Sequence, residues 1–188
     1  DEVAGVIELR NVNKVFNAGK SNEFAAVRDV SLSIGFGVAT VLKGPSGSGK
    51  TTLLSLIGGM ARPTSGRIFL DGRGITSLPE RFLTGIRRKT YGFIFQHFNR
   101  VKGITVLENV LTGGHLLTRY GALDWCFRSP RFRREEAALC AKAEAALAFV
   151  GLSAQQDAPA GALPFGSARL LEIARALCAE PTVLLLDE

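Results

Sequence analysis

The chain is poor in the residues that build redox centres and metal cages. Among 188 residues there are three cysteines and two histidines. Cys126, Cys140 and Cys178 are odd in number, and no pair has metal-ligand spacing, so they read as structural thiols of a reducing cytosol. His97 and His115 have no nearby cysteine or carboxylate cluster, which argues against a metal site made of protein ligands alone. No apolar run approaches the ~20 residues needed to span a bilayer. The acidic start Asp1-Glu2-Val3 lacks a signal-peptide pattern, so any link to a membrane is expected to run through a partner. Internal repeats and low-complexity tracts are also missing.

Hydrophobic residues make up 46% and charged residues 21%, the balance of one ordinary folded domain. Lys and Arg exceed Asp and Glu by 23 to 17, a net charge of +6. Much of the excess sits in two clusters, Arg81, Arg87, Arg88 and Lys89, then Arg128, Arg131, Arg133 and Arg134. The charge is compatible with nucleic acid, an anionic membrane surface or simple solubility. Solvated helix faces are the plainer reading, so no nucleic-acid partner is expected.

Periodicity predicts strands over residues 6–12 and 27–34, where Val30, Leu32 and Ile34 share one face. Residues 38–42 form a short apolar run that reads as a buried strand of a parallel sheet. Residues 50–60 follow as a helix, with Leu53, Leu54, Ile57 and Met60 at helical spacing. A strand is expected at 68–70 before the Asp71-Gly72 turn, a short helix at 80–89 and a strand at 91–95. From about 99 to 165 strand signals vanish. Helices are expected at 106–117 and at 131–150, where Leu139, Ala143, Ala146, Leu147 and Val150 make a stripe. A loop over 157–164, a helix over 170–177 and a buried strand over 183–186 close the order, which is sheet, helical insert, sheet.

The strongest signal is Gly44-Pro45-Ser46-Gly47-Ser48-Gly49-Lys50-Thr51, a full match to G-x-x-x-x-G-K-[ST] between an apolar run and a helix. Phosphate needs many donors on a backbone that can come close. Gly44, Gly47 and Gly49 remove obstructing Cβ atoms, and a helix N-terminus adds fixed positive potential. Lys50 supplies a point charge for the β- and γ-phosphates, and Thr51, with Thr52 beside it, offers a hydroxyl to Mg²⁺. The second signal is Leu186-Asp187-Glu188, an apolar strand ending in paired acids. Asp187 suits the Mg²⁺ shell, and Glu188 suits polarising an attacking water.

In its order of phosphate loop, glutamine after a strand, glycine-bearing helix start and apolar-Asp-Glu strand, the chain resembles the ABC-type ATPases along essentially its whole length. The resemblance implies an α/β fold: a RecA-like P-loop NTPase core with an N-terminal antiparallel β piece and an inserted α-helical subdomain. It divides the chain into the core at 1–98, a helical subdomain at 99–165, and at 166–188 the signature helix and Walker B strand returning to the core. It places Phe16 where an aromatic stacks on adenine, and Gln96 where a glutamine touches Mg²⁺ and senses a transmembrane partner. ATP and Mg²⁺ are the implied cofactors. Transmembrane permease subunits and a second cassette, identical or not, are the implied partners, with a cytoplasmic, peripheral position on the inner face of the cell membrane.

Departures from the family pattern bear on turnover. Where the family reads Leu-Ser-Gly-Gly-Gln, this chain has Leu163-Pro164-Phe165-Gly166-Ser167. Pro164 lacks both hydroxyl and amide. Gly166 and a helix dipole remain for the γ-phosphate, and Ser167 is expected to cap the helix. The chain stops at Glu188, where the family continues to a switch histidine, so the resemblance implies a product truncated after the Walker B strand. Residues 5–110 are most similar to lipoprotein-releasing and macrolide-export ATPases, and 113–188 to branched-chain amino-acid importer ATPases. Three functions follow: a transport ATPase, a degenerate cassette that binds nucleotide or a partner without turnover, and a soluble ABC ATPase acting on nucleic acid or ribosomes, for which the insert is too short. No Asn-Lys-x-Asp motif supports a GTPase.

Overall fold

The computed structural model describes residues 6–95, 101, 103–118, 124 and 126–187, with the side chain of Leu116 excepted. They fall into two compact units, Asp1–Arg87 and Arg88–Glu188.

The first unit is built on an antiparallel sheet of β1 (Ile7–Phe16), β2 (Phe24–Ile34), β3 (Ser65–Leu70) and β4 (Arg73–Gly74), in the order β2-β1-β3-β4. Central β1 buries Ile7 and Leu9 on one face, as period-2 alternation requires. The phase then slips, and Val12 rather than Asn11 is buried. Asn11 has a φ of +48°, and the register of β1 shifts between Leu9 and Val12 against β2. This is a bulge, which re-aims every later side chain of the strand. Opposite it Gly66 (φ +89°) lies so close that a Cβ there would stand 2.3 Å from the Asn11 carbonyl oxygen. Helix α1 (Lys50–Ile57) buries Leu56 and Ile57. Helix α2 (Glu80–Thr90) begins in this unit and buries Leu83.

The second unit pairs β5 (Tyr91–Ile94) with β6 (Val183–Leu186) in parallel, Tyr91 opposite Val183 and Ile94 opposite Leu186. Between these strands in sequence come α3 (Val106–Gly114), a 3-10 turn (His115–Leu117), α4 (Pro130–Phe149) and α5 (Phe165–Cys178). Thr105 and Glu108 cap α3 reciprocally, and Ser129 with Pro130 opens α4. The three helices share a core of Val106, Val110, Leu139, Leu147, Leu171 and Ala174. The predicted stripe of α4 is the face that enters it, although Val150 is only half-buried.

Several expectations are corrected. Residues 38–42 are not a strand, and Val38 and Val41 are 62% and 74% exposed. Among the described residues no strand pairs with this run, and an extended run without a ladder partner is coil. Helix α1 ends at Ile57 rather than residue 60, because Gly58 caps it and Gly59 turns left-handed at φ +66°. β6 is only half-buried, with Leu185 inside and Leu186 49% exposed. Helix α5 starts at Phe165, five residues before its expected start. Of the thiols, Cys178 is buried, Cys140 half-buried and Cys126 exposed. Burial raises the pKa of the Cys178 thiol above its ordinary value.

Candidate functional site

In the first unit the loop 44–51 leads into α1. Gly47 and Gly49 have φ of +78° and +89°, a region that L side chains rarely enter. Gly49 is the N-cap of α1, supplies no side-chain acceptor, and the first turn holds no acidic residue. The first-turn amides are thus offered to an external anion. The Lys50 ammonium lies inside the loop, donating to the carbonyls of Gly44 and Pro45 at 2.8 Å each and to Ser48 Oγ at 3.4 Å. The loop closes on itself through the Ser48 amide, which donates to the Pro45 carbonyl at 3.2 Å. Ser46 is exposed, Thr51 is exposed and Thr52 is half-buried one residue on.

A cleft of about 690 Å³ opens beside the loop, bounded by loop residues and by β2. Arg28, Lys43 and Lys50 are among its lining residues, and among the described residues no Asp or Glu lines it. A cleft lined by one sign of charge concentrates ligands of the other sign. Lys43 could be foreseen from its place directly before the loop. Arg28 could not, because it is on β2 and no motif marks it.

Phe16 ends β1, 41% exposed, with the Lys14 ammonium 5.0 Å from its ring centroid. Its cross-strand partner Phe24 lines the cleft, and Phe16 does not.

In the second unit Asp187 follows β6 directly and is half-buried. Its amide donates to the Ile94 carbonyl at 2.9 Å, extending the parallel ladder past Leu186. The Arg169 guanidinium spans the strand ends. Nη2 donates to the Asp187 carbonyl at 2.7 Å, and Nη1 donates to the Phe95 carbonyl at 2.6 Å and to Glu172 Oε2 at 3.1 Å. Glu172 is 3% exposed. Sequence reasoning singled out neither residue. Gln96 and Glu188 lie outside the described residues.

At the altered signature, Leu163 is buried and Pro164 is the N-cap of α5, with no side-chain cap bond. Phe165 is 78% exposed and Gly166 is exposed. Ser167 does not cap the helix, because the early start places it at the third helical position. Among the described residues no group of three or more His, Cys, Asp or Glu could hold a metal ion, and no helix is long and apolar enough to cross a membrane.

The family model described as ABC transporter matches residues 27–188. The chain belongs to the ABC transporter family. It is 40% identical over 183 residues to a phosphonates import ATP-binding protein of Rhodopseudomonas palustris (strain HaA2), covering 97% of this chain and 61% of that protein. It is 36% identical to a sulfate/thiosulfate import ATP-binding protein of Chromobacterium violaceum, covering 97% of this chain and 45% of that one. The chain thus spans about half of these curated relatives. Neither is named for lipoprotein release, macrolide export or branched-chain amino acids. Among solved structures, the dimeric form of a bacterial ABC transporter cassette aligns with TM-score 0.78 at 33% identity, over 97% of this chain and 73% of that one. A post-hydrolysis dimer of an ATP-binding cassette bound to ADP and Pi aligns with TM-score 0.78 at 32% identity and the same coverage. The expected α/β P-loop ATPase fold is therefore that of this ABC chain.

Proposed function

We propose that this chain is the nucleotide-binding part of an ATPase subunit that couples ATP hydrolysis to transport. The observation that carries the reading is Lys50, held in a glycine loop at the N-terminus of α1, where no side chain caps the helix, beside a cleft whose described lining holds cations and no acid. That donor set fits polyphosphate. The loop amides and Lys50 bind the β- and γ-phosphates, with Gly44, Pro45, Ser46, Gly47, Ser48 and Gly49 forming the cradle and Thr51 and Thr52 its helical edge. Mg²⁺ would arrive with the nucleotide; Thr51, Gln96 and Asp187 are the residues that would hold it, and it would neutralise charge on the phosphate oxygens. Glu188 orients and polarises the attacking water. Catalysis is positioning and electrostatics.

Gly166 and Ser167, at the start of α5, face the nucleotide of a second cassette, and Gln96 reports to a permease. In this reading residues 1–98 are the core, 99–165 the helical subdomain and 166–188 the returning signature helix and strand. The import names of the relatives favour import, from a peripheral position on the inner face of the cytoplasmic membrane. The test is phosphate release by the full-length protein assembled with its permease, against Glu188→Gln. Turnover is expected to collapse in the variant, and an unchanged rate sinks the assignment.

A second reading, nucleotide binding without turnover, is favoured by Pro164 at the N-cap of α5, where a hydroxyl would otherwise stand. It requires ATP binding with no phosphate release even in the assembled transporter.

A further inference from the structure

Arg169 binds the ends of two strands that are distant in sequence. β5 stops at Ile94 and β6 at Leu186, and the ladder closes with the Asp187 amide on the Ile94 carbonyl. The carbonyls of Phe95 and Asp187 lie just past the paired strands. Arg169 takes both, at 2.6 and 2.7 Å. A planar guanidinium presents donors along separate directions in one fixed plane, so a single side chain can serve two carbonyls and a carboxylate, which the point charge of lysine does not reproduce. The carboxylate is Glu172, three residues on in the same helix and almost wholly buried. A buried carboxylate is costly unless paired and hydrogen-bonded, and Arg169 supplies the pairing.

We propose that Arg169 is a positioning residue for the hydrolytic half of the site. Resting on the ATPase reading above, it holds Phe95, the residue covalently next to Gln96, and Asp187, the residue next to Glu188. It also stands three residues after Gly166 in the same helix. The start of α5 and the two strand ends are therefore joined by one side chain, and any displacement of α5 is passed to both. Arg169 touches no substrate, and its effect is on where the acting residues stand.

The experiment uses the full-length protein assembled with its permease and compares Arg169→Lys, Arg169→Gly and Glu172→Gln. In Arg169→Lys the charge beside Glu172 is kept, so the fold is expected to survive. Hydrogen exchange at the Asp187 amide is then expected to speed up by about tenfold or more, while the middle of the β5–β6 pair keeps its protection. The kcat is expected to fall by about 10- to 100-fold, with KM for ATP within about twofold because the phosphate loop makes its own bonds. Glu172→Gln leaves Arg169 its two carbonyls but not its charged partner, and is expected to show a smaller fall of the same kind. Millimolar methylguanidinium is expected to restore part of kcat to Arg169→Gly. Unchanged kcat in Arg169→Lys overturns the proposal. So does loss of protection throughout the unit with kcat and KM changing together, which marks a merely structural role. If the wild-type protein shows no turnover, the ATPase reading fails separately, and the Asp187 exchange rate still decides whether Arg169 holds the strand ends.

Discussion

A Cβ atom placed on Gly49 would stand 2.1 Å from the carbonyl oxygen of Ala26. The loop end and β2 therefore touch backbone to backbone, and Gly49 also sits at φ +89°. Gly49→Ala meets both the steric contact and the unfavourable dihedral. It is expected to lower stability by more than about 1 kcal/mol, and to weaken ATP binding by at least about tenfold because the cradle must open. Denaturant unfolding and titration with a fluorescent ATP analogue measure the two effects. Unaltered binding by the alanine variant would remove this backbone approach from the account of the site.

Lys50 behaves differently, because its bonds go to exposed loop carbonyls that water can serve equally well. Lys50→Met is expected to leave stability within about 0.5 kcal/mol, while the affinity for ATP falls by at least about tenfold through loss of a charge-assisted contact. Wild-type affinity should weaken as salt is raised, since the cleft gathers Arg28 and Lys43 beside Lys50. A parallel loss of stability and binding would mean that Lys50 supports the loop rather than the ligand.

Asn109 is the fully buried polar side chain of α3. Its Oδ1 accepts from the Val101 amide at 2.8 Å, and its Nδ2 donates to the carbonyls of Val101 and Thr105 at 3.0 Å each. It thus pins the chain before α3 to the helix itself. Asn109→Leu keeps the volume and strands these backbone groups, at an expected cost of about 1–3 kcal/mol in urea unfolding. Equal stability in the leucine variant would show that water replaces the amide fully.

The cap of α3 carries a pH dependence. The Glu108 carboxylate accepts from the Thr105 amide at 2.7 Å and from its hydroxyl at 3.0 Å, and these bonds hold its pKa below the ordinary 4.5. A folded-state pKa that is lowered gives stability present above the unfolded value and lost as pH falls through the folded one. The stability difference between wild type and Glu108→Gln is therefore expected to be level above about pH 5 and to close in acid. Thermal unfolding across pH 3–7, on the order of one scan per half unit, tests this. A gap that widens in acid would contradict the cap.

The loop at 44–51 was legible because fixed spacing of glycines and Lys50 is local chemistry, and the face of α4 because a helical stripe repeats within one element. Residues 38–42 depart from the strand expectation for a physical reason. An apolar run signals a need for cover, but a strand also needs a partner to pair with, and whether one takes it up is decided elsewhere in the chain. Sequence alone starts α5 too late because Pro164 offers no side-chain oxygen, so the usual N-cap signal is missing where the helix begins. Arg169 is not legible from spacing because its two carbonyl acceptors lie 74 and 18 residues away, and no spacing rule encodes such a bond.

A Cβ atom on Gly166 would meet nothing within 4 Å, and its backbone needs no left-handed angle. Folding therefore places no demand on that position, in contrast to Gly49 and Gly66. A substitution scan of the isolated chain, read by abundance alone, should show tolerance at 166 and depletion at 49 and 66. Where a scan read by growth on transported substrate reverses that tolerance, the lost fitness measures an encounter outside this polypeptide. Gly166 is in this sense a reporter of company rather than of architecture.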